Sequence, residues 1–197
     1  MTQKRILLLD GHPADRSLSQ LFIQTYADAA AKNGHEVRMH KLSDMSFDMD
    51  FGDGGYKHSK PLEPELQTFS DDLEWSNHVV LATPMWWGGL PAKLKGLFDR
   101  TLLPGFAFDT RNKTKIGMPM PMLTDKTGRV LITADTPHWA LQLFYRRAII
   151  WQIRGQIMNF VGIKPVKISW FAGATGADDT RISRWSNDVE NLGLQAA

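Results

Sequence analysis

Two tryptophans and two glycines stand together in residues 83–100, which read TPMWWGGLPAKLKGLFDR. The segment follows an apolar run at 79–82 and leads into an amphipathic stretch that begins at Ala92. Ligands of open parallel sheets bind beyond the carboxyl ends of the strands, so bulky aromatic residues at that edge favour a flat ring as the ligand. Trp86 and Trp87 are therefore candidate ring contacts, with the core or a subunit interface as the ordinary alternative for tryptophan.

The second candidate for chemistry is the turn at residues 11–19, GHPADRSLS, which follows the first apolar run. Ser17 and Gln20 have the S-x-x-Q spacing of a capping box, which predicts a helix that begins near Ser17. The free amides and the positive dipole end of such a helix suit a phosphate. His12 is either a further phosphate contact or a strand-end histidine bonded to the backbone. A phosphate beside a flat ring fits a flavin nucleotide.

Other chemistries are excluded or disfavoured by what the chain lacks. It has neither G-x-G-x-x-G nor G-x-x-x-x-G-K-[ST] after its first strand, so the dinucleotide fingerprint and the phosphate loop of nucleotide hydrolases are absent. It has no cysteine, which excludes thiol chemistry, and we assign no metal site. The net charge is +2, with basic and acidic residues interspersed, so we expect no nucleic-acid partner. With no long apolar segment and no export signal, we expect no membrane span and a cytoplasmic location.

The elements that must position these residues alternate between strand and helix. Apolar runs at 5–9, 79–82, 129–133 and 166–171 predict buried strands, and 36–42 predicts one more. Helical patterns are seen from Ser17 onward and at 64–76, 92–102, 139–160 and 178–192. Residues 46–64 are predicted to be a long loop. The alternation predicts a single α/β domain over 1–197, with a doubly wound parallel sheet of five strands.

Over nearly its whole length the sequence resembles the NAD(P)H:quinone oxidoreductase branch of the flavodoxin-like superfamily. Three segments carry the resemblance: residues 12–19, residues 83–99 with the pattern P-x-x-W-x-G-x-P-A-x-L-K-G, and residues 133–139. The resemblance implies a flavodoxin-like sheet with strand order 2-1-3-4-5. Gly88 stands where the mammalian quinone reductases have an aromatic residue, which would open the ring site.

The resemblance also implies which residues contact the flavin. The phosphate or pyrophosphate would be held by His12, Ser17, Leu18 and Ser19. The edge of the isoalloxazine ring would be contacted by Pro84, Met85, Trp86 and Trp87. Its other side would be closed by Thr133, Ala134, Asp135, Thr136 and Pro137, with Phe106 and Phe108 completing the neighbourhood. Asp135 has a simpler alternative as the cap of the following helix. Trp139 and Tyr145 are the nearest equivalents of the tyrosine and histidine that assist hydride transfer in mammalian relatives.

The implied activity is hydride transfer from NAD(P)H to flavin N5 and then to a quinone or similar acceptor, by ping-pong kinetics. FAD is the implied flavin, because the long loop at 46–64 and the PGFAF segment resemble FAD-binding relatives, and FMN is the alternative. The resemblance further implies a homodimer. Two other hypotheses stay open: a flavin-binding regulatory subunit of a potassium-efflux transporter, and an electron-carrier flavodoxin, although such carriers typically present an acidic face.

Overall fold

Five parallel strands form the central sheet in a computed structural model that describes residues 2–52 and 59–196. In chain order these strands are β1 (Arg5–Asp10), β2 (Glu36–Lys41), β3 (His78–Pro84), β6 (Thr127–Ala134) and β7 (Val166–Ala172). Their spatial order is β2-β1-β3-β6-β7, which confirms the predicted 2-1-3-4-5 order of the sheet strands. The numbering differs because β4 (Phe108–Lys113) and β5 (Pro119–Pro121) form a separate antiparallel hairpin that the sequence did not predict.

Seven α-helical segments connect or flank the strands in the described part of the chain. They are α1 (Leu18–Lys32), α2 (Pro64–Trp75), α3 (Ala92–Thr101), α4 (His138–Leu143), α5 (Ala148–Trp151), α6 (Asn159–Val161) and α7 (Asp179–Gln195). A π-helical stretch, Gln152–Met158, joins α5 to α6. The predicted helix starts at Pro64 and Ala92 are confirmed, as is the start near Ser17, which is the residue before α1.

The sheet is buried on both faces, as its apolar runs predict. Leu7 and Leu9 of β1 belong to a core cluster that also contains buried residues of α2 and α3. Ile6 and Leu8 point the other way, into a second cluster with α1 and α7. Because successive strand residues alternate between faces, one short strand contributes to both layers of the core. The result is the doubly wound α/β arrangement expected from the sequence.

The prediction of a single long helix over 139–160 is wrong. The helical path breaks between α4 and α5, where Arg146 and Arg147 have φ of +46° and +57°. Left-handed residues cannot continue a right-handed helix, and the amide of Arg147 instead donates to the carbonyl of Leu141 at 2.9 Å. No glycine or proline marks this break, which is why the apolar periodicity alone suggested continuity.

The predicted loop at 46–64 is described on both sides of residues 53–58, which lie outside the described residues. Arg100 of α3 anchors its two flanks although this side chain is only 1% exposed. Its guanidinium donates to the carbonyls of Asp48 and Pro61 and to the Glu63 carboxylate, the last at 2.9 Å. A buried charge is tolerated when it is paired and hydrogen-bonded in this way. Across residues 2–52 and 59–196, none of the helices has the length and apolar content needed to cross a bilayer.

Candidate functional site

A cavity of about 290 Å³ opens at the carboxyl ends of β1, β3 and β6, and we call it the first cavity. Ten of the predicted flavin contacts line it: His12, Ser17, Leu18, Ser19, Pro84, Met85, Trp86, Thr133, Ala134 and Asp135. A hydrogen bond from the amide of Met85 to the carbonyl of Thr133, at 2.8 Å, joins the ends of β3 and β6 here. The structure thus brings together residues that are more than 100 positions apart, at the sheet edge where α/β proteins bind ligands.

The start of α1 forms one wall of the first cavity. The hydroxyl of Ser17 accepts from the amide of Gln20 at 3.1 Å, and the Gln20 side chain accepts from the amide of Arg16 at 2.9 Å. The predicted cap by Ser17 is therefore confirmed. In the usual capping box Gln20 would accept from the amide of Ser17, whereas here it accepts from the amide of the preceding residue, Arg16. The first amides of a helix have no intrahelical acceptor, so those of Leu18 and Ser19 are suited to an anionic ligand.

The hydroxyl of Ser19 is an orphaned polar group at the wall of the first cavity. Ser19 is 1% exposed, and its Oγ has no hydrogen-bond partner in the described part of the chain. Leaving such a group unsatisfied costs about 1–3 kcal/mol. An oxygen of a bound phosphate would provide the missing partner, so this atom points to a ligand more directly than the helix start does.

The turn between β1 and α1 is fixed by short hydrogen bonds. The amide of Gly11 donates to the carbonyl of Ala82 at 2.7 Å, and the amide of His12 donates to the buried Asp10 carboxylate at 3.1 Å. Burial raises the pKa of Asp10, and the His12 bond opposes that rise. Nδ1 of His12 lies 3.1 Å from the amide nitrogen of Ala14 and 2.9 Å from its carbonyl oxygen, so these contacts fit either ring tautomer. The tautomer with its proton on Nε2 presents a donor suited to a phosphate oxygen.

A second cavity, of about 470 Å³, adjoins the first, because Met85 and Asp135 line both. Its remaining lining residues are Trp87, Gly88, Thr136, Leu141, Tyr145, Ala148 and Ile149. Trp87, Thr136 and Tyr145 are predicted site residues. Gly88 was noted in the sequence as a position that opens the ring site. Leu141, Ala148 and Ile149 were not assigned to the site, because they have the pattern of an ordinary buried helix face.

Trp87 stands in a strained turn beside the second cavity. The backbones of Trp86 and Gly89 exchange two hydrogen bonds of 3.0 and 2.9 Å, and between them Trp87 and Gly88 have φ of +52° and +76°. Positive φ at both central residues is typical of a type I′ turn, which glycine and asparagine favour. Trp87 adopts it with a fully exposed side chain. Strain of this kind at an exposed aromatic residue marks a candidate functional position.

Asp135 connects the loops that follow β6 and β7. Its two carboxylate oxygens accept from the amide and the hydroxyl of Thr175, at 2.8 and 2.7 Å. Both hydrogen bonds lower the pKa of Asp135, and the one from the Thr175 amide has the larger effect. The alternative in which Asp135 caps the following helix is wrong, since α4 begins after Pro137 without a side-chain cap.

Four predicted site residues line neither cavity. Phe106 is half-buried against the larger core cluster, Pro137 precedes α4, and Trp139 is 62% exposed with its ring edge-on to Phe144. Phe108 begins β4, is buried, and lines a third cavity together with Phe160. The hairpin that starts at Phe108 accounts for this, because the carbonyl of that residue accepts from the amide of Gly105 and turns the segment toward the core.

Three lining residues of the first cavity were missed: Arg16, Ala174 and Thr175. Arg16 has φ of +59°, which nothing in its sequence neighbourhood indicates. Ala174 and Thr175 follow β7 in the segment GATGAD. The sequence did contain a signal for these two residues. A glycine-containing loop that follows a parallel strand lies at the same edge of the sheet as the loops that follow the other strands.

Comparison with known proteins places these features in a family. A family model described as flavodoxin-like fold matches residues 4–192. An "uncharacterized NAD(P)H oxidoreductase" from Haemophilus influenzae is 28% identical over 177 residues, covering 88% of this chain and 86% of the relative. The rat protein NAD(P)H dehydrogenase [quinone] 1 is 25% identical over 187 residues, covering 83% of this chain and 67% of the relative.

Solved structures share the fold. An NAD(P)H:quinone oxidoreductase from Methanothermobacter marburgensis superposes with a TM-score of 0.82 at 21% identity, covering 99% of this chain and 98% of that one. An FMN-dependent NADH-azoreductase from Bacillus anthracis, solved in complex with FMN, has a TM-score of 0.71 at 16% identity, with 98% of both chains covered. At these identities the likeness concerns the architecture of the chain.

Proposed function

The chain belongs to this flavodoxin-like family, and on that premise we propose that it is a flavin-dependent NAD(P)H oxidoreductase that reduces a quinone or a similar acceptor. The names of the Haemophilus and rat relatives support an oxidoreductase. The observation that carries the proposal is the junction of the two cavities: an orphaned buried hydroxyl suited to phosphate lies in one, and exposed aromatic residues suited to a flat ring border the other. Neither relative is named as a transporter subunit, so that alternative gains no support.

In this proposal the first cavity holds the flavin phosphate. The Ser19 hydroxyl, the first amides of α1 and Nε2 of His12 donate hydrogen bonds to its oxygens. Arg16, which lines the same cavity, adds a positive charge. Hydrogen bonds between charged partners are about twice as strong as neutral ones, so an anion is favoured over a neutral group here. Ser17 acts indirectly, since its hydroxyl is occupied in capping α1.

The second cavity holds the ring in this proposal. Met85 and Trp87 contact one edge of the ring, Trp86 contacts that edge from the first cavity, and Asp135 and Thr136 close its other side. A bound flavin would accept a hydride from NAD(P)H and pass it to the acceptor. The chain's own contribution is to orient the reactants and to exclude water with apolar walls, for which no acid or base side chain is required. Tyr145 lines this cavity and can donate a phenolic hydrogen bond, whereas Trp139 lies outside it.

The flavin form that we propose is FAD, which the sequence resemblance implies, with FMN as the alternative. The two differ in the diphosphate and adenosine that FAD carries beyond the first cavity. Mass spectrometry of the ligand released by heating the purified protein distinguishes them. A mass equal to that of FAD supports the proposal, and release of FMN alone replaces it with the alternative. The cytoplasmic location expected from the sequence stays a prediction.

We also propose that two copies pair through a face near the second cavity. Four large apolar or aromatic side chains of this region are 62–69% exposed: Trp139, Leu143, Phe144 and Trp151. The rings of Trp139 and Phe144 contact each other edge-on, and exposed apolar surface of this kind is typical of interaction sites. Light scattering coupled to gel filtration should give twice the mass of 22.3 kDa, and a monomer at micromolar concentration would contradict the pairing.

The activity is tested by anaerobic mixing of the flavin-loaded protein with NADH or NADPH. We expect the yellow absorbance band to bleach and then to return on addition of a quinone. Absence of bleaching with both donors would overturn the proposed function. Bleaching without recovery on quinone addition would keep the NAD(P)H oxidoreductase and reject the quinone-like acceptor.

A further inference from the structure

The turn between α4 and α5 carries two arginines directly beside the second cavity. Tyr145 and Ala148 both line that cavity, and Arg146 and Arg147 are the residues between them. Both arginines have positive φ, and the turn is held by the Arg147 amide on the Leu141 carbonyl and by the Ala148 amide on the Tyr145 carbonyl at 2.8 Å. Consecutive left-handed residues with long side chains persist only where the surrounding structure fixes them, and they cluster at functional sites.

The two guanidinium groups have no electrostatic partner in the part of the chain that the structure describes. Arg146 and Arg147 are exposed, and neither forms an ion pair with a carboxylate of residues 2–52 or 59–196. The acidic residue at the wall of the second cavity is Asp135, whose oxygens are bonded to Thr175. Two positive charges without an ion-pair partner in the described protomer thus lie on the turn between two lining residues of the cavity that the proposed function assigns to the flavin ring and its reactants.

We propose that Arg146 and Arg147 form an anion subsite for the phosphate groups of the nicotinamide dinucleotide donor, an inference that rests on the proposed function. The donor must place its nicotinamide ring in the second cavity, and its negatively charged portion then has to leave past the rim of that cavity. Arginine binds phosphate through paired donors in a fixed geometry, which lysine does not reproduce. The phosphate is either the pyrophosphate shared by NADH and NADPH or the 2′-phosphate that NADPH alone carries.

Asparagine substitution tests the subsite without disturbing the turn. Asparagine tolerates left-handed backbone, so Arg146→Asn with Arg147→Asn removes both charges and keeps the conformation. Arg184→Asn is the matched control, because Arg184 is an exposed arginine of α7 with no ion pair among the described residues. We expect kcat/KM for the dinucleotide donors to fall about tenfold in the double variant, relative to kcat/KM for reduced nicotinamide riboside, which lacks phosphate.

The pattern of loss identifies the phosphate. A fall for NADPH alone assigns the 2′-phosphate and NADPH preference, and an equal fall for NADH and NADPH assigns the pyrophosphate. Unchanged ratios for both donors would overturn the subsite. Calorimetric titration with ADP-ribose and with its 2′-phosphorylated form supplies a readout that does not depend on turnover. Affinity that drops in the double variant and not in Arg184→Asn supports the subsite, whereas equal affinity in all three proteins rejects it.

Failure of the two proposals is distinguishable. A wild-type protein that bleaches with NAD(P)H, together with a double variant that matches it in both assays, rejects the arginine subsite alone. A wild-type protein that never bleaches with either donor rejects the proposed function, and the subsite as a donor site is rejected with it.

Discussion

The two cavities at the sheet edge differ in how their walls are held. The first has buried residues in its wall, such as Ser19 and Thr133, and hydrogen bonds from Gln20 to Ser17 and from Gly11 to Ala82 fix the start of α1 and the turn before it. The second is bordered by exposed groups on strained backbone, including the fully exposed Trp87 and the left-handed pair that follows Tyr145. A hydrogen-bonded wall suits a ligand portion that stays bound, and a wall of exposed side chains suits reactants that must enter and leave. We therefore expect the first cavity to retain the cofactor and the second to admit the reactants.

The largest expected effect comes from a pair of glycines, one in the turn that leads to the first cavity and one at the wall of the second. A Cβ at Gly11 would lie 2.8 Å from Leu94 Cδ2 and 3.0 Å from the Ala82 carbonyl, whereas one at Gly88 would meet nothing within 4 Å. We expect Gly11→Ala to lower the free energy of unfolding by about 1–3 kcal/mol and to abolish flavin retention. Gly88→Ala should cost about 1 kcal/mol through its positive φ alone.

Urea denaturation of the flavin-free proteins measures both glycine variants, with Gly88→Asn as the control that tolerates the backbone. If Gly11→Ala is as stable as the wild type, the turn between β1 and α1 can accommodate a Cβ. That result would contradict a rigid first cavity beside an adaptable second one.

The second prediction separates two serines of the first cavity. Ser17→Ala removes the cap of α1 and should lower the stability of the flavin-free protein by about 1 kcal/mol. Ser19→Ala removes a hydroxyl that is unpaired in the described structure, so flavin-free stability should not fall, while flavin binding weakens by about 0.5–1.5 kcal/mol. Thermal unfolding and fluorescence titration with flavin measure the two quantities. Equal loss of flavin-free stability in both variants would contradict a preformed phosphate site.

A third prediction concerns the strained tryptophan of the second cavity. Trp87→Asn places a residue that accepts left-handed backbone in the turn, so the flavin-free protein should be unchanged or more stable by less than about 1 kcal/mol. Bleaching by NAD(P)H should nevertheless slow, because the ring contact is lost. Trp87→Phe is the control that keeps an aromatic face. Stopped-flow absorbance gives the rate, and an undiminished rate in the asparagine variant would remove Trp87 from the site.

The smallest effect is a pH dependence at Asp10, which accepts from the amide of His12 beside the first cavity. Burial raises the pKa of Asp10 above its ordinary value of 3.8, so the folded protein holds this proton more tightly than the unfolded chain. Stability contributed by the protonated form is present below pH 3.8 and is lost as pH rises through the folded pKa. Asp10→Asn keeps an acceptor for the His12 amide and should therefore unfold at a higher temperature than wild type at neutral pH. The difference should vanish in acid, and a difference that grows in acid would reverse the assignment.

Local signals in the sequence predicted one half of the site and not the other. The cap at Ser17 and the apolar strands follow from spacing and periodicity, which act over a few residues, whereas the order of the sheet was implied by the resemblance to the flavodoxin-like superfamily. The break at Arg146 and Arg147 does not, because helical periodicity continues across residues whose backbone is held by tertiary contacts. The hairpin from Phe108 displaced a predicted ring contact for the same reason, since Pro119 and Pro121 in its second strand gave no strand pattern.

The most direct test of a flavin divided between the two cavities is a crystal structure of the protein with its flavin bound. We predict a phosphate oxygen within hydrogen-bonding distance of Ser19 Oγ in the first cavity and the ring between Met85 and Asp135, beside Trp87, in the second. A flavin bound in the cavity between Phe108 and Phe160, or a ring directed away from the second cavity, would contradict the division of one ligand between the two cavities.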